Sequence, residues 1–181
     1  MRIHEALQQF ILQLEANGRS RHTIDQYRRH VASFAAWFAP EDDLRRVDHQ
    51  TIARFLAGPE ARTRPDGRER KTCVVNALRG SMKNFFGYVA CAGLIERDPS
   101  RLVRRARCGP PPPRTLSDDD RRRLLYVLTQ AYDPEGRRDH ALFSLMLGSG
   151  IRVGSAVALD VGDVDLERGE LWLRTTKGDR P

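Results

Sequence analysis

The amino-acid sequence predicts a mainly α protein, a four-helix bundle followed by a second region of helices that ends in a β-hairpin. Three observations carry that prediction. Apolar residues recur at helical spacing through most of residues 1–107. Four consecutive prolines, Pro110 to Pro113, then interrupt the pattern, and such a run enters neither helix nor sheet ladder. Beyond them, two more helical runs give way to short β-prone segments around a glycine-containing turn. Charge steps at the same place. Residues 1–107 hold 20 basic and 12 acidic side chains, whereas residues 108–181 hold 11 and 12. The expected organisation is therefore a domain over 1–107, a semi-rigid polyproline II linker over 108–114 and a second domain over 115–181.

In the first helix Leu7, Phe10, Ile11 and Leu14 share a face, and Asn17-Gly18 stops it. The second is expected to start from a capping box, Thr23-x-x-Gln26, and to carry Ile24, Tyr27, Val31, Phe34, Trp37 and Phe38 on one face before Pro40 ends it. Asp48 caps a third helix that buries Ile52, Phe55 and Leu56. A Gly/Pro/Arg-rich stretch, Gly58–Arg68, reads as a loop. The fourth helix carries the stripe Val74, Val75, Leu78, Met82, Phe85, Phe86 and Val89 and closes at Gly93. Aromatic rings at such spacing are core residues rather than platforms for bases.

Past the linker, Ser117 with Asp118, Asp119 and Asp120 starts a helix bearing Leu124, Leu125 and Leu128. Pro134 breaks it. Arg138–Leu147 forms the next, and its segment 141–147 is apolar almost all round, the mark of a helix buried on every side. Val164–Leu166 and Leu171–Thr175 read as strands about the turn Glu167–Glu170, with Thr176–Asp179 the following turn.

Composition narrows the function. The chain has 181 residues and mean hydropathy −0.56. No apolar run is long enough to span a membrane, and the N-terminal residues lack a signal-peptide core. Cys73, Cys91 and Cys108 form neither a disulfide framework nor a zinc-binding pattern, which fits a reducing compartment. The net charge is +7 and the pI about 9.9. The entire positive excess lies in residues 1–107, so an anionic partner, most often nucleic acid, is expected there. Arg62, Arg64, Arg68, Arg70 and Lys71, with Arg79 and Lys83, cluster at the start of the fourth helix and the stretch before it, where backbone phosphates are favoured.

Residues 148–159, Gly-Ser-Gly-Ile-Arg-Val-Gly-Ser-Ala-Val-Ala-Leu, followed by Asp163-Val164-Asp165 and Thr176-Lys177-Gly178, resemble the catalytic region of the tyrosine recombinases, the phage-integrase family. Upstream, Gly18-x-Ser20 with Thr23-Ile24-x-x-Tyr27 and Phe34 is similar to the second helix of the family's core-binding domain. Arg70-Lys71-Thr72 with Leu78-Arg79 and Phe85-Phe86-Gly87-Tyr88 is similar to the fourth. Gly93-Leu94-Ile95-x-x-x-Pro99 and Leu116-Ser117 resemble the lead into the family's linker and the opening of its catalytic domain. The resemblance implies a SAM-like core-binding bundle, then the beginning of an α+β catalytic domain, in the two-domain form of the family.

It also implies a chemistry. A tyrosine hydroxyl attacks a DNA phosphodiester and forms a 3′-phosphotyrosyl link, with neither metal nor nucleotide cofactor. Arginines stabilise the phosphorane, because a planar fork matches two phosphate oxygens. A lysine on a β-turn protonates the 5′-oxygen leaving group. Residue by residue, the resemblance places Arg152 at the first-arginine position and Lys177 at the β-turn lysine position. Ser155 stands where the family has an acid, which weakens the site. The family's His-x-x-Arg pair and nucleophilic tyrosine fall beyond Pro181 in its order, and Tyr27, Tyr88, Tyr126 and Tyr132 stand in other contexts. The expectation is a C-terminally truncated recombinase, inactive alone, that binds double-stranded DNA and other recombinase protomers in the cytoplasm, at the nucleoid. The alternative is a non-catalytic DNA-binding regulator that competes with a full-length recombinase.

Overall fold

The computed structural model describes residues 1–39, 43–110, 115–130 and 132–173. It divides into two compact units, Met1–Pro110 and Pro111–Pro181. Helix α1 (Ile3–Ala16) ends where Gly18 takes a φ of 66°, a conformation that costs glycine little. Helix α2 (Arg21–Phe38) begins two residues before the expected capping box. Ser20 is its cap and accepts from the Thr23 backbone N–H at 3.4 Å, while the Thr23 hydroxyl lies 2.9 Å from the Ser20 hydroxyl. The box at Thr23 is thereby corrected: that residue is already the third of the helix. Pro40 lies outside the described residues.

Helix α3 (His49–Ala57) is capped as expected. Asp48 Oδ1 accepts from the Thr51 N–H at 2.7 Å and from its hydroxyl at 2.6 Å. The stretch after it is more ordered than a loop. Pro59–Arg62 forms a one-turn helix, α4, with proline at its first position. Thr63 and Glu69 then pair as an antiparallel bridge, closed by Arg64 N–H to Arg68 O at 2.8 Å with Gly67 at φ 78°. Helix α5 (Thr72–Cys91) follows, and Gly93 at φ 71° turns the chain out of it.

The core of this unit is aromatic. Phe34, Phe55, Phe85 and Phe86 are fully buried. The Phe34 ring meets Phe55 at 5.1 Å and Phe86 at 5.6 Å, both edge to face, and Phe10 meets Phe85 at 5.7 Å in the same manner. Each such side chain contributes about 1.5–3 kcal/mol by leaving water. One stripe residue departs from expectation. Val74 is exposed, whereas Val75 beside it is buried.

The second unit contains α6 (Asp118–Thr129), capped by Ser117, and α7 (Pro134–Ser149), capped by Asp133 and ended by Gly150 at φ 69°. Pro134 does not merely break the preceding helix. It is the first residue of the next, so the expected Arg138 start is four residues late. Nor is α7 buried on every side. Ala141 and Phe143 are exposed, and Leu142, Leu145, Met146 and Leu147 are only half-buried, because α6 packs on one side of it. A one-turn helix α8 (Val153–Ala156) leads to β1 (Val164–Asp165) and β2 (Glu170–Leu171), which pair antiparallel with Val164 opposite Leu171. The strands are shorter than expected. Asp165 Oδ1 accepts from the N–H groups of Glu167 and Arg168, both at 3.0 Å, and this turn takes Leu166 out of β1, while β2 opens one residue early at Glu170 and does not extend into Trp172 and Leu173. The linker residues 111–114, Thr175 and the turn over 176–179 lie outside the described residues. Among those described, no helix is long and apolar enough to cross a membrane.

Candidate nucleic-acid interface

The seven basic residues expected to meet DNA fall on consecutive elements of the first unit. Arg62 ends α4, and its Nε donates to Leu56 O at 3.3 Å. Arg64 and Arg68 sit exposed on the turn of the Thr63–Glu69 hairpin. Arg70 is half-buried: its backbone N–H donates to Arg62 O at 2.6 Å, and its Nε donates to Thr63 O at 3.0 Å. Lys71 is the N-cap of α5, and its side chain does not bond the helix. The Lys71 carbonyl accepts from the Val74 and Val75 N–H groups at 2.9 and 3.3 Å, so the N–H groups of Thr72 and Cys73 are the ones left without an acceptor from the cap.

Three of the seven come together. Arg62, Arg70 and Arg79 line one cleft of about 250 Å³, with Glu69, Thr72, Val75 and Ala106 as the other walls. Residues 8 and 17 positions from Arg62 reach it because the hairpin folds α4 back onto the start of α5. Lys83 lies one turn beyond Arg79, exposed and off the cleft. Among the described residues, none of the seven side chains is paired with a carboxylate. A basic surface whose charges are not internally neutralised is what a phosphate backbone requires.

Two residues outside that set belong to the same surface. Arg104 lines a second hollow together with Arg79, His49, Leu56 and Leu102. The segment bearing it is held down by Asn76, which is 2% exposed on α5. Asn76 Nδ2 donates to Ala106 O at 2.9 Å, and Ala106 N–H donates to Asn76 Oδ1 at 2.9 Å. The density of arginines over 101–107 is a sequence signal for Arg104. An asparagine amid the α5 apolar stripe is the only one for Asn76.

His30 on α2 also faces this region. Its Nδ1 lies 2.7 Å from the Ser81 hydroxyl. Burial, then the neighbouring positive charges of Arg29 and Arg70, hold its pKa below the ordinary histidine value.

In the second unit, Arg152 is the N-cap residue of α8. Its carbonyl accepts from the N–H groups of Ser155 and Ala156, both at 2.9 Å, while its side chain is exposed and makes no cap bond. Lys177 lies outside the described residues. Tyr27 and Tyr88 serve the first unit's packing, both against Phe10, and the Tyr27 hydroxyl accepts from Asn84 Nδ2 at 2.8 Å. Tyr126 and Tyr132 are exposed.

Two family models match the chain. Residues 7–90 match the phage integrase N-terminal SAM-like domain, and residues 114–181 match the phage integrase family. The chain is 31% identical over 177 residues to tyrosine recombinase XerD of Ralstonia nicotianae, covering 96% of this chain and 54% of that protein. It is 30% identical over 178 residues to tyrosine recombinase XerC of Roseiflexus castenholzii, covering 93% of this chain and 53% of that one. Tyrosine recombinase XerC of Neisseria meningitidis serogroup C is 28% identical over 161 residues, 88% of this chain and 52% of its own length. The chain thus spans about half the length of the curated relatives it matches.

Proposed function

The chain belongs to the phage integrase family, and from that membership we propose that residues 1–110 grip double-stranded DNA by its backbone in a tyrosine-recombinase reaction. The observation that carries this is the convergence of Arg62, Arg70 and Arg79 on one cleft, flanked by the exposed Arg64, Arg68 and Lys71. These charges reach for phosphates rather than base edges. They sit on a turn and at a helix N-terminus, where the geometry suits an anion and carries no base code.

The test follows from counterion release, which lowers the logarithm of the binding constant by about 0.9 per phosphate for each tenfold rise in salt. Arg70 is a poor target, because its guanidinium also holds the hairpin through Thr63 O. Arg64→Ala/Arg68→Ala/Lys71→Ala removes three exposed charges that bond no other side chain among the described residues. The expected outcome is a salt slope shallower by about 3, with affinity lost evenly across DNA sequences. An unchanged slope on a variant that still melts as the wild type does would sink the reading.

For the chemistry, we propose that Arg152 binds the scissile phosphate and that Lys177 protonates the leaving oxygen. The support is the resemblance of the residues around them. Of the four tyrosines in residues 1–181, two are packing residues of the first unit and two stand on the exposed face of the second. The 181-residue chain is therefore expected to form no covalent adduct with a nicked suicide substrate. A phosphotyrosyl product on a denaturing gel would contradict that assignment.

A further inference from the structure

Asn76 sits buried in the second turn of α5, at a position where an apolar residue would pack more simply. Its side-chain amide has four hydrogen-bonding capacities, and all four are used. Oδ1 accepts from the Ala106 N–H at 2.9 Å and from Arg79 Nη1 at 3.0 Å. Nδ2 donates to Ala106 O at 2.9 Å and contacts Cys108 Sγ at 3.4 Å. The amide's orientation is fixed from outside: a backbone N–H must face the oxygen, and a backbone carbonyl must face the nitrogen. Asn76 thus binds residue 106 as one strand binds another, through both polar groups of a single residue. It does so across a sequence separation of 30.

The segment so held has little else to hold it. Past the Val103 N–H bond to Ser100 O at 2.9 Å, residues 104–110 form no regular structure. Arg104, Arg105 and Arg107 on it are exposed. Without an anchor their backbone would be free to leave α5, and each would meet an anion only after losing the conformational entropy of the residues it orders. The same Asn76 oxygen also holds the Arg79 guanidinium at the cleft that Ala106 helps to wall.

We infer that Asn76 is a positioning residue that clamps the 104–108 strap to α5, so that the strap's arginines and Arg79 form one preorganised surface for a DNA backbone. This rests on the DNA-binding reading above, and it adds a residue that touches no DNA itself.

Limited trypsin digestion of the full chain without DNA reads the clamp. Cleavage after Arg104, Arg105 and Arg107 is expected to be at least about tenfold faster in Asn76→Leu, which keeps the volume and deletes the four bonds, because local opening governs cutting. Ala106→Pro removes one clamp bond from the strap side and leaves α5 intact, so it serves where Asn76→Leu fails to fold, with cutting then read after Arg104 and Arg107 alone because trypsin does not cut an Arg–Pro bond. Titration with a duplex at several salt concentrations then reads the consequence. Both variants are expected to lose affinity and to show a slope shallower by about 2. Adding Ala106→Pro, which leaves the Asn76–Arg79 bond in place, to Arg104→Ala/Arg105→Ala/Arg107→Ala is expected to cost little more, since the strap side of the clamp acts through those side chains. A merely structural clamp would add its full cost there.

Unchanged trypsin cutting overturns the clamp. Faster cutting with unchanged DNA titration, or full additivity with the strap triple variant, overturns the positioning role. A wild-type chain without salt-dependent binding overturns the DNA-binding reading, whatever the digestion shows of the clamp.

Discussion

The two units of this chain use the same local devices and reach different ends. Asp48 and Ser20 cap helices in the first unit as Asp133 and Ser117 do in the second, each with a side-chain oxygen on a backbone N–H three residues on. Gly18 and Gly93 in one, and Gly150 in the other, turn the chain through positive φ after a helix. Yet the first unit buries four phenylalanines completely. In the second, no apolar side chain larger than Ala156 is buried among the described residues, while Val161 and Leu166 are 94% and 89% exposed. The lesson is that caps and stops start and end helices, but they do not supply a core. Most of the free energy of a helical domain comes from the apolar face it covers.

The largest test of that contrast is a pair of truncations. Phe34→Ala removes a ring packed against Trp37, Phe38, Phe55 and Phe86 and is expected to cost about 3–5 kcal/mol, enough to unfold the first unit. Phe143→Ala, on the half-covered α7, is expected to cost under about 1 kcal/mol. Urea denaturation followed by tryptophan fluorescence and circular dichroism measures both, since Trp37 reports one unit and Trp172 the other. Equal costs would erase the distinction.

A smaller effect sharpens it. The exposed Tyr126, Val127, Val157, Val161 and Leu166 should bind an apolar dye at temperatures below the main melting transition. Val161→Ser/Leu166→Ser is expected to lower that signal and leave the main transition in place. A single cooperative melt with no dye signal would show the second unit to be as well covered as the first.

The smallest effect concerns pH. His30 is held below its ordinary value in the folded state, first by burial and then by Arg29 and Arg70. The unfolded chain therefore binds the proton more readily, and protonation favours unfolding. Stability of the first unit is expected to be full above about pH 6.5 and to fall as the pH drops through that value toward the lowered folded one. His30→Gln should flatten the dependence over that window. An equally steep curve in the variant would assign it to other groups.

Elements set by neighbours in sequence were legible from the residues alone. The Asp48 and Ser117 caps, the Gly18 and Gly93 stops, the buried faces of α1 and α3 and the turn at Glu167–Glu170 all depend on groups within four or five positions of each other. So does the tendency of basic residues to crowd the start of α5. The α2 start at Ser20 and the α7 start at Pro134 part from expectation for local reasons, whereas for the burial of α7 a distant partner decided. The α7 segment 141–147 is apolar enough for complete burial, but how much of it is covered depends on what packs against it. Val74 fits the stripe on periodicity and is nonetheless exposed.

The sequence by itself determined which segments become the longer helices, where most of those start and stop, and that the positive charge sits in the first 107 residues, because propensity, capping and charge are local properties; the one-turn helices α4 and α8 were not legible in it. Only the tertiary structure decided that Arg62, Arg70 and Arg79 share a cleft and that Asn76 grips residue 106. Those contacts close loops of 8 to 30 residues. Local periodicity carries no record of such closures, since their free energy comes from packing the whole bundle around Phe34.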